Sequence, residues 1–227
     1  KCGGGDDGLY EDRKFQQNIQ GALANGIQVG VYFYSGASNA REAYDEASYC
    51  ISLIRDYQIT YPVAFDWELD GDYDSVTEAC ETFCNVISSY GYQPMVYSNR
   101  NRWYNNFDGE KIASKYKVWM AAYFGKFYYD SVRWTYGDDL PNFRYHYDMW
   151  QYSSRCYVDG ISGQVDVDIA FFGYANYHVD TKDAVLTVTN KEIKRTYGDG
   201  IGRLTEELNL LDGVKGINTI GYDMDIE

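Results

Sequence analysis

The first two-thirds of the chain alternates helix-like and strand-like hydrophobic patterns. Phe15, Ile19 and Leu23 recur every four residues before Gly26, which predicts a first helix. An apolar run at residues 27–34 follows and predicts a buried strand. The same alternation then continues, with helices predicted at residues 39–57 and 75–90 and strands at residues 63–69, 94–98 and 118–123. Strands that alternate with helices indicate a parallel sheet with helices outside it.

Two later strands are predicted without a helix between them, at residues 149–152 and 161–169, which indicates antiparallel pairing. The predicted fold class is therefore α/β, an irregular (β/α) TIM-like barrel with late antiparallel strands. In such barrels the chemistry lies where the strands end. The strands here end in polar or aromatic side chains that we expect to converge: Tyr34, Asp66 with Glu68, Tyr97, Tyr123 and Gln151.

The pattern changes after about residue 179. Residues 184–189 alternate like a half-exposed strand, a short amphipathic stripe runs from Ile201 to Leu211, and residues 217–226 predict another strand. We predict a barrel domain at residues 1–179 and a small accessory module at residues 180–227, β-rich or immunoglobulin-like and truncated. Residues 196–205 (TYGDGIGRLT) weakly resemble the start of some bacterial immunoglobulin-like repeats.

Composition and charge narrow the possible partners. A net charge of −14 argues against a nucleic-acid partner, which requires basic surface. No stretch has the apolar length that spans a bilayer, so membrane insertion is not expected. The 25 tyrosines suit a wet groove that stacks on sugar rings. The five cysteines form no closed disulfide framework, and we predict mostly buried free thiols.

The sharpest chemical feature is Asp66-Trp67-Glu68. On a strand, Asp66 and Glu68 face the same side, with Trp67 turned the other way. Two carboxyls in one site do not ionise independently, so one is held protonated, as glycoside hydrolysis requires. Two other interpretations stay open: solvated acids at a strand end, or a calcium loop at residues 66–74. Thr77 stands where the calcium loop needs Glu, and the preceding segment is strand-like.

A second acidic pair, Asp166 and Asp168, also shares one face of a strand and would reach the first pair if the barrel closes. Asp168 alone suits an ordinary strand edge equally well. The two histidines, His146 and His178, are too few for a histidine-rich metal site and lie in no recognisable nucleophile arrangement. No cofactor and no metal are therefore expected.

Several segments, in order, resemble glycoside hydrolase family 25, the Chalaropsis-type lysozymes. They are GVYFYSGA (30–37), VAFDWE (63–68), PMVYS (94–98), VWMAAY (118–123), and WQYSS followed by GISGQVDVD. The resemblance covers about residues 1–177. It implies a secreted or wall-associated muramidase that cleaves the β-1,4 bond between N-acetylmuramic acid and N-acetylglucosamine, with peptidoglycan strands as partner.

The resemblance also implies roles for particular residues. Glu68 matches the general acid, and Asp66 matches a carboxylate that is either the nucleophile or the group that orients the substrate's N-acetyl group. Asp166 matches the acid of a late V-D-x-N motif, in which Asp168 replaces Asn. Substrate-binding positions complete the predicted site: Tyr34, Tyr97, Tyr123, Trp119, Gln151 and Asp168.

One departure from the family concerns the start of the chain. The family opens with a strand that carries a further Asp, upstream of the segment that here begins at Lys1. Its absence predicts an unpaired sheet edge and one carboxylate fewer in the site. Two outcomes stay open: this piece is inactive or poorly folded, or another chain or segment fills the gap. The alternative function is a non-catalytic glycan-binding protein on the same barrel.

Overall fold

The computed structural model describes residues 1–123 and 140–172, together with short strands within residues 185–188, 214–217 and 223–224. The chain divides into two compact units, Lys1–Asn176 and Tyr177–Glu227. The amphipathic stripe predicted at residues 201–211 lies outside the described residues.

The first unit is built on an eight-stranded mixed sheet in the order β2-β1-β3-β4-β5-β6-β7-β8. The strands are β1 (Gly3–Gly4), β2 (Tyr10–Glu11), β3 (Val31–Ser35), β4 (Val63–Trp67), β5 (Pro94–Asn99), β6 (Lys117–Ala121), β7 (Met149–Cys156) and β8 (Val165–Ala170). Strands β3 to β7 run parallel, and β8 pairs antiparallel with β7. The α/β class and the late antiparallel pairing are thus confirmed. Among the described residues, no strand pairing joins β8 to β2, so these eight strands do not by themselves close a barrel.

Within residues 1–123, five helices lie between the strands: α1 (Phe15–Ala24), α2 (Ala40–Ile54), α3 (Tyr73–Ser89), α4 (Arg100–Asn105) and α5 (Gly109–Ala113). Helices α2 to α5 each begin after an Asn or Asp whose side chain accepts a hydrogen bond from a backbone N–H of the first turn. The capping residues are Asn39, Asp72, Asn99 and Asp108. The short helices α4 and α5 were not predicted, because five or six residues are too few to establish a helical period.

The core lies between the sheet and the helices α2 and α3. The rings of Phe33 on β3 and Phe65 on β4 lie 6.2 Å and 5.2 Å from that of Phe83 on α3. Trp67 is also fully buried, and its Nε1 donates to Ala37 O at 3.2 Å. Residues 33, 65 and 67 therefore face the helices, and residues 32, 34, 64 and 66 face the opposite side of the sheet. The five cysteines are all buried and free, as predicted.

The start of the chain forms a short strand pair that was not predicted. β1 pairs in parallel with β3, Gly3 opposite Phe33, and its other edge pairs antiparallel with β2. A Cβ on Gly3 would lie 2.4 Å from Tyr10 O. The close approach of the two strands therefore requires glycine here, and β2 covers this edge over two residues.

The second unit contains three described strands, β9 (Val185–Val188), β10 (Val214–Ile217) and β11 (Asp223–Met224). They form a small antiparallel sheet in the order β11-β10-β9. The strand predicted at residues 184–189 corresponds to β9. The strand predicted at residues 217–226 is divided between the end of β10 and β11.

A matched pair of glycines tests the tight packing after β3. A Cβ on Gly36 would lie 2.6 Å from Gly5 O and from Asp6 Cα, both of which belong to the backbone, whereas a Cβ on Gly21 in α1 would meet nothing within 4 Å. We expect Gly36→Ala to lower the free energy of unfolding by about 1–3 kcal/mol. We expect Gly21→Ala to raise it by about 0.5–1 kcal/mol, because alanine favours the helix. Urea unfolding of both variants measures the difference, and equal effects would contradict the packing.

Candidate active site

A cleft lies at the carboxyl ends of the parallel strands, on the face of the sheet that the helices do not cover. Its volume is about 190 Å³. The side chains that line it come from β3 to β8 and from the residue after β4: Tyr32, Asp66, Glu68, Tyr97, Trp119, Gln151, Asp166 and Asp168. Strands β3 and β8 line the same cleft although four strands separate them in the sheet. The sheet must therefore curl strongly.

Strand register explains why these side chains meet. Asp66 on β4 lies opposite Tyr34 on β3 and Tyr97 on β5, and Tyr97 in turn lies opposite Trp119 on β6. Residues directly opposite one another in a sheet point to the same face. Gln151 on β7 lies opposite Asp168 on β8 in the antiparallel pair, which adds the far wall of the cleft.

Asp66 is the most deeply buried acid of the cleft, with 4% of its surface exposed. Burial, reinforced by the nearby Glu68, raises the pKa of Asp66 to about 8, while Lys1 acts in the opposite direction. Its Oδ1 is buried and has no hydrogen-bond partner among the described residues. A buried acceptor without a partner is costly, which points to a donor that arrives with a ligand.

Glu68 lies one step further out and is half-buried. Burial raises the pKa of Glu68 as well, Arg102 acts to lower it, and Asp166 raises it further. The carboxyls of Asp66 and Glu68 thus lie in one site, and the charge of Glu68 helps to raise the pKa of Asp66. In the free protein the more deeply buried Asp66 therefore holds a proton more tightly than Glu68 does.

The far wall carries the second acidic pair. Trp119 Nε1 donates to Asp168 Oδ1 at 2.7 Å, which fixes the indole against the cleft. Asp166 and Asp168 are both exposed at their surface, but nearby protein atoms partly desolvate their carboxyls. This desolvation raises the pKa of each. The structure therefore brings all four acids of the two predicted pairs to one cleft.

Aromatic side chains and the amide of Gln151 form the floor of the cleft. The hydroxyls of Tyr97 and Tyr123 both donate to Gln151 Oε1, at 2.8 Å and 2.5 Å. The Tyr97 and Trp119 rings meet edge to face at 4.7 Å. Because two hydroxyls hold its oxygen, the Gln151 side chain is fixed in one orientation, with its NH₂ group as the remaining donor.

Two predicted residues flank the cleft instead of lining it. Tyr123 donates to Gln151 from beside the cleft, and Tyr34 lies at the edge, where Lys1 Nζ is 4.8 Å from its ring centroid. Conversely, Tyr32 lines the cleft and was missed, although it lies two residues before Tyr34 on the same face. Arg102 was also missed, and no local pattern in the sequence relates it to Glu68.

The calcium interpretation finds no geometric support in the described part of the chain. Asp66 belongs to a strand and faces the cleft, while Asp72 caps α3 by accepting from Ser75 N at 3.1 Å. Asp70 faces Arg102 at 3.8 Å. Within the described residues, no group of three or more His, Cys, Asp or Glu side chains could hold a metal ion. The acids of the loop thus point to different partners.

Known proteins with a similar sequence include bacterial and phage enzymes. The chain is 25% identical to the autolytic lysozyme of Clostridium acetobutylicum over 224 residues, which are 92% of this chain and 59% of that protein. It is 29% identical to the lysozyme of Streptococcus phage Cp-1 over 137 residues, 56% of this chain and 37% of that protein. The chain thus spans less than two-thirds of the length of either relative.

The solved structures that superpose on this chain include proteins of the same kind, an endolysin and an autolysin. The CTP1L endolysin superposes with a TM-score of 0.58 at 25% identity, over 74% of this chain and 56% of that one. The modular autolysin LytC of Streptococcus pneumoniae gives 0.56 at 27% identity, over 70% and 37%. Residues 4–161, more than half of the chain, match the family model of the glycosyl hydrolases family 25. On this evidence the chain belongs to the glycosyl hydrolases family 25.

Proposed function

We propose that this chain is a peptidoglycan hydrolase that cleaves the β-1,4 bond between N-acetylmuramic acid and N-acetylglucosamine. One observation carries the proposal: Asp66 and Glu68 lie in one cleft of a family 25 chain, and the pKa of each is raised. A carboxyl that stays protonated near neutral pH beside a second carboxyl is what glycosidic bond cleavage requires. The lysozyme and autolysin relatives support the same reaction.

In the proposed mechanism Glu68 gives its proton to the glycosidic oxygen. A sugar that fills the cleft removes water from the half-buried Glu68 and so increases its affinity for a proton. A substrate donor that reaches Asp66 Oδ1 at the same time stabilises the ionised form of Asp66. Substrate binding therefore moves a proton from Asp66 to Glu68, which then gives it to the glycosidic oxygen.

Two roles for Asp66 fit the site. Its unpartnered Oδ1 can attack the anomeric carbon, or it can accept the N–H of the 2-acetamido group and orient that group to attack instead. A thiazoline that mimics the cyclised acetamido group separates the two routes. Tight inhibition would support assistance by the substrate, because a mimic of an intermediate binds tightly only to a site that forms it.

The remaining side chains of the cleft would bind sugar. Trp119 offers a ring held by Asp168, and the NH₂ group of Gln151 offers a donor for a hydroxyl or an acetamido oxygen. Tyr32 adds a hydroxyl that stays protonated, because burial beside Asp66 raises its pKa to about 12. A neutral glycan backbone suits this site, since it brings no extra negative charge to a protein of net charge −14.

We further propose that the chain acts at the cell wall, and that residues 180–227 form an accessory module. The autolytic and endolytic relatives favour this location. In the described part of the chain, no helix is both long and apolar enough to cross a bilayer. The match to the Clostridium lysozyme covers 92% of this chain and therefore extends into the second unit.

The deciding experiment is digestion of purified peptidoglycan, followed by reduction and identification of the new reducing ends. Muramic acid at those ends would support the proposal, and glucosamine there would indicate cleavage of the other glycosidic bond. If no ends appear while the protein still pellets with peptidoglycan, the chain is a glycan-binding protein on the same fold.

A further inference from the structure

The segment that follows β4 is held by side chains and not by a neighbouring strand. Three side chains spaced four residues apart donate to three carbonyls spaced two residues apart. These contacts are Ser98 Oγ to Trp67 O at 2.8 Å, Arg102 Nε to Leu69 O at 2.9 Å, and Asn106 Nδ2 to Gly71 O at 2.8 Å. We call this set the 98–102–106 ladder.

The spacing of the ladder has a simple geometric reason. One turn of a helix brings residues 102 and 106 to the same side, with an advance of about 6 Å. Two residues of an extended chain advance by about 6.6 Å, so alternate carbonyls come nearly level with successive turns. Trp67 is the last residue of β4 that pairs with β3, and beyond it the carbonyls need other donors.

Glu68 lies between the first two carbonyls that the ladder holds. No hydrogen bond from any described residue reaches its carboxyl, so its direction depends on the backbone on either side of it. Arg102 contributes a second effect, because its guanidinium lowers the pKa of Glu68 against the effect of burial. The Arg102 side chain is itself 24% exposed and lies 3.8 Å from Asp70, which is fully exposed.

We propose that Arg102, the central member of the 98–102–106 ladder, is a positioning residue that holds Glu68 toward the cleft. This inference rests on the proposed function, in which Glu68 is the proton donor. Ser98 and Asn106 hold the carbonyls on either side. Other titratable groups face or influence Glu68 from its own strand, from neighbouring strands and from the segment after β6: Tyr34, Asp66, Tyr97, Tyr123 and Asp166.

Two substitutions separate the charge of Arg102 from its hydrogen bond. Arg102→Gln removes the charge and replaces Nε with the amide of a shorter side chain, whereas Arg102→Lys keeps the charge; both lose the fixed geometry of Nε. We expect a roughly tenfold fall in kcat for each, with KM changed less than twofold, because a displaced acid affects the chemical step. Arg55→Gln is the matched control, since Arg55 is exposed on α2's end and far from the ladder, and it should change neither.

The pH dependence of kcat/KM distinguishes a role of Arg102 at Glu68 from a role in folding alone, because a loss of folding would not shift the pKa of Glu68. In Arg102→Gln the alkaline limb of kcat/KM should shift upward by about half a pH unit to one unit, because a positive charge that favours ionised Glu68 is gone. In Arg102→Lys the limb should stay in place. Asn106→Ala should lower kcat by about threefold with the limb also in place, because Asn106 contributes only its hydrogen bond.

A measurement without substrate keeps this inference distinct from the proposed function. Carbon-13 NMR of the Glu68 carboxyl gives its pKa in the folded wild type and in the two Arg102 variants. The result expected is a higher Glu68 pKa in Arg102→Gln and an unchanged one in Arg102→Lys. An unchanged Glu68 pKa in Arg102→Gln, or wild-type kcat in both variants, would overturn the role of Arg102. Absence of hydrolysis by the wild type would instead count against the proposed function alone.

Discussion

Glu68→Gln should reduce the rate of peptidoglycan cleavage about a thousandfold while leaving the fold and glycan binding intact. Glutamine keeps the shape of the side chain but cannot release a proton, and a positioned general acid contributes roughly 10²–10⁴ in rate. The substitution also removes a carboxyl whose pKa is raised by burial, so stability should not fall. Release of reducing ends and pelleting with peptidoglycan, measured on the same preparation, separate catalysis from binding.

Glu78→Gln provides the matched control for this loss. Glu78 lies on the exposed side of α3, away from the cleft, so the same chemical change there should leave the rate unaltered. In the wild type, activity should persist to a higher pH than an ordinary Glu would permit, because burial raises the pKa of Glu68. A Glu68→Gln protein that retains more than a tenth of the wild-type rate would rule out Glu68 as the proton donor.

Asp66→Asn should lower activity and, at the same time, make the protein more stable above neutral pH. The pKa of Asp66 is raised from 3.8 to about 8 in the folded protein, so the folded state binds more protons than the unfolded chain between these values. The contribution of Asp66 to stability therefore increases as pH falls from 8 to 4, and the full cost of its buried carboxylate is present above pH 8. Asparagine avoids this cost, which at about 1.36 kcal/mol per pKa unit is on the order of 5 kcal/mol at pH 8.

Urea unfolding of the wild type and Asp66→Asn at pH 4, 6 and 8 measures this difference. The two proteins should agree at pH 4 and diverge as the pH rises. Some pH dependence should persist in the variant, because burial also raises the pKa of Glu46 to about 7 even though Ser35 and Gly36 donate to its carboxyl. Asp45→Asn, an exposed change on α2, should not alter the pH dependence. A constant difference at all three pH values would contradict a buried, titrating Asp66.

The order of the long elements could be predicted because each carries its own periodic pattern. Helices α1 to α3 lie where hydrophobic residues recur every three to four residues, and strands β3 to β8 lie at short apolar or alternating segments. Their ends were less accurate. The strand predicted at residues 27–34 begins at Val31, because residues 27–30 precede the pairing of β3 with β4. The short pair β1 and β2 was missed, since two-residue strands carry no period.

The sequence by itself determined the α/β order, the family resemblance and the shared face of Asp66 and Glu68, because these depend on the residues of a single strand and its neighbours in the chain. Only the tertiary structure added Tyr32 and Arg102 to the surroundings of that pair and set how deeply each side chain is buried. The curl of the sheet brings Asp166 on β8 to the same cleft as Asp66, burial raises the pKa of Asp66 to about 8, and Arg102 on α4 donates to Leu69 O beside Glu68. Each of these depends on distances between residues far apart in sequence, and local periodicity carries no information about such distances.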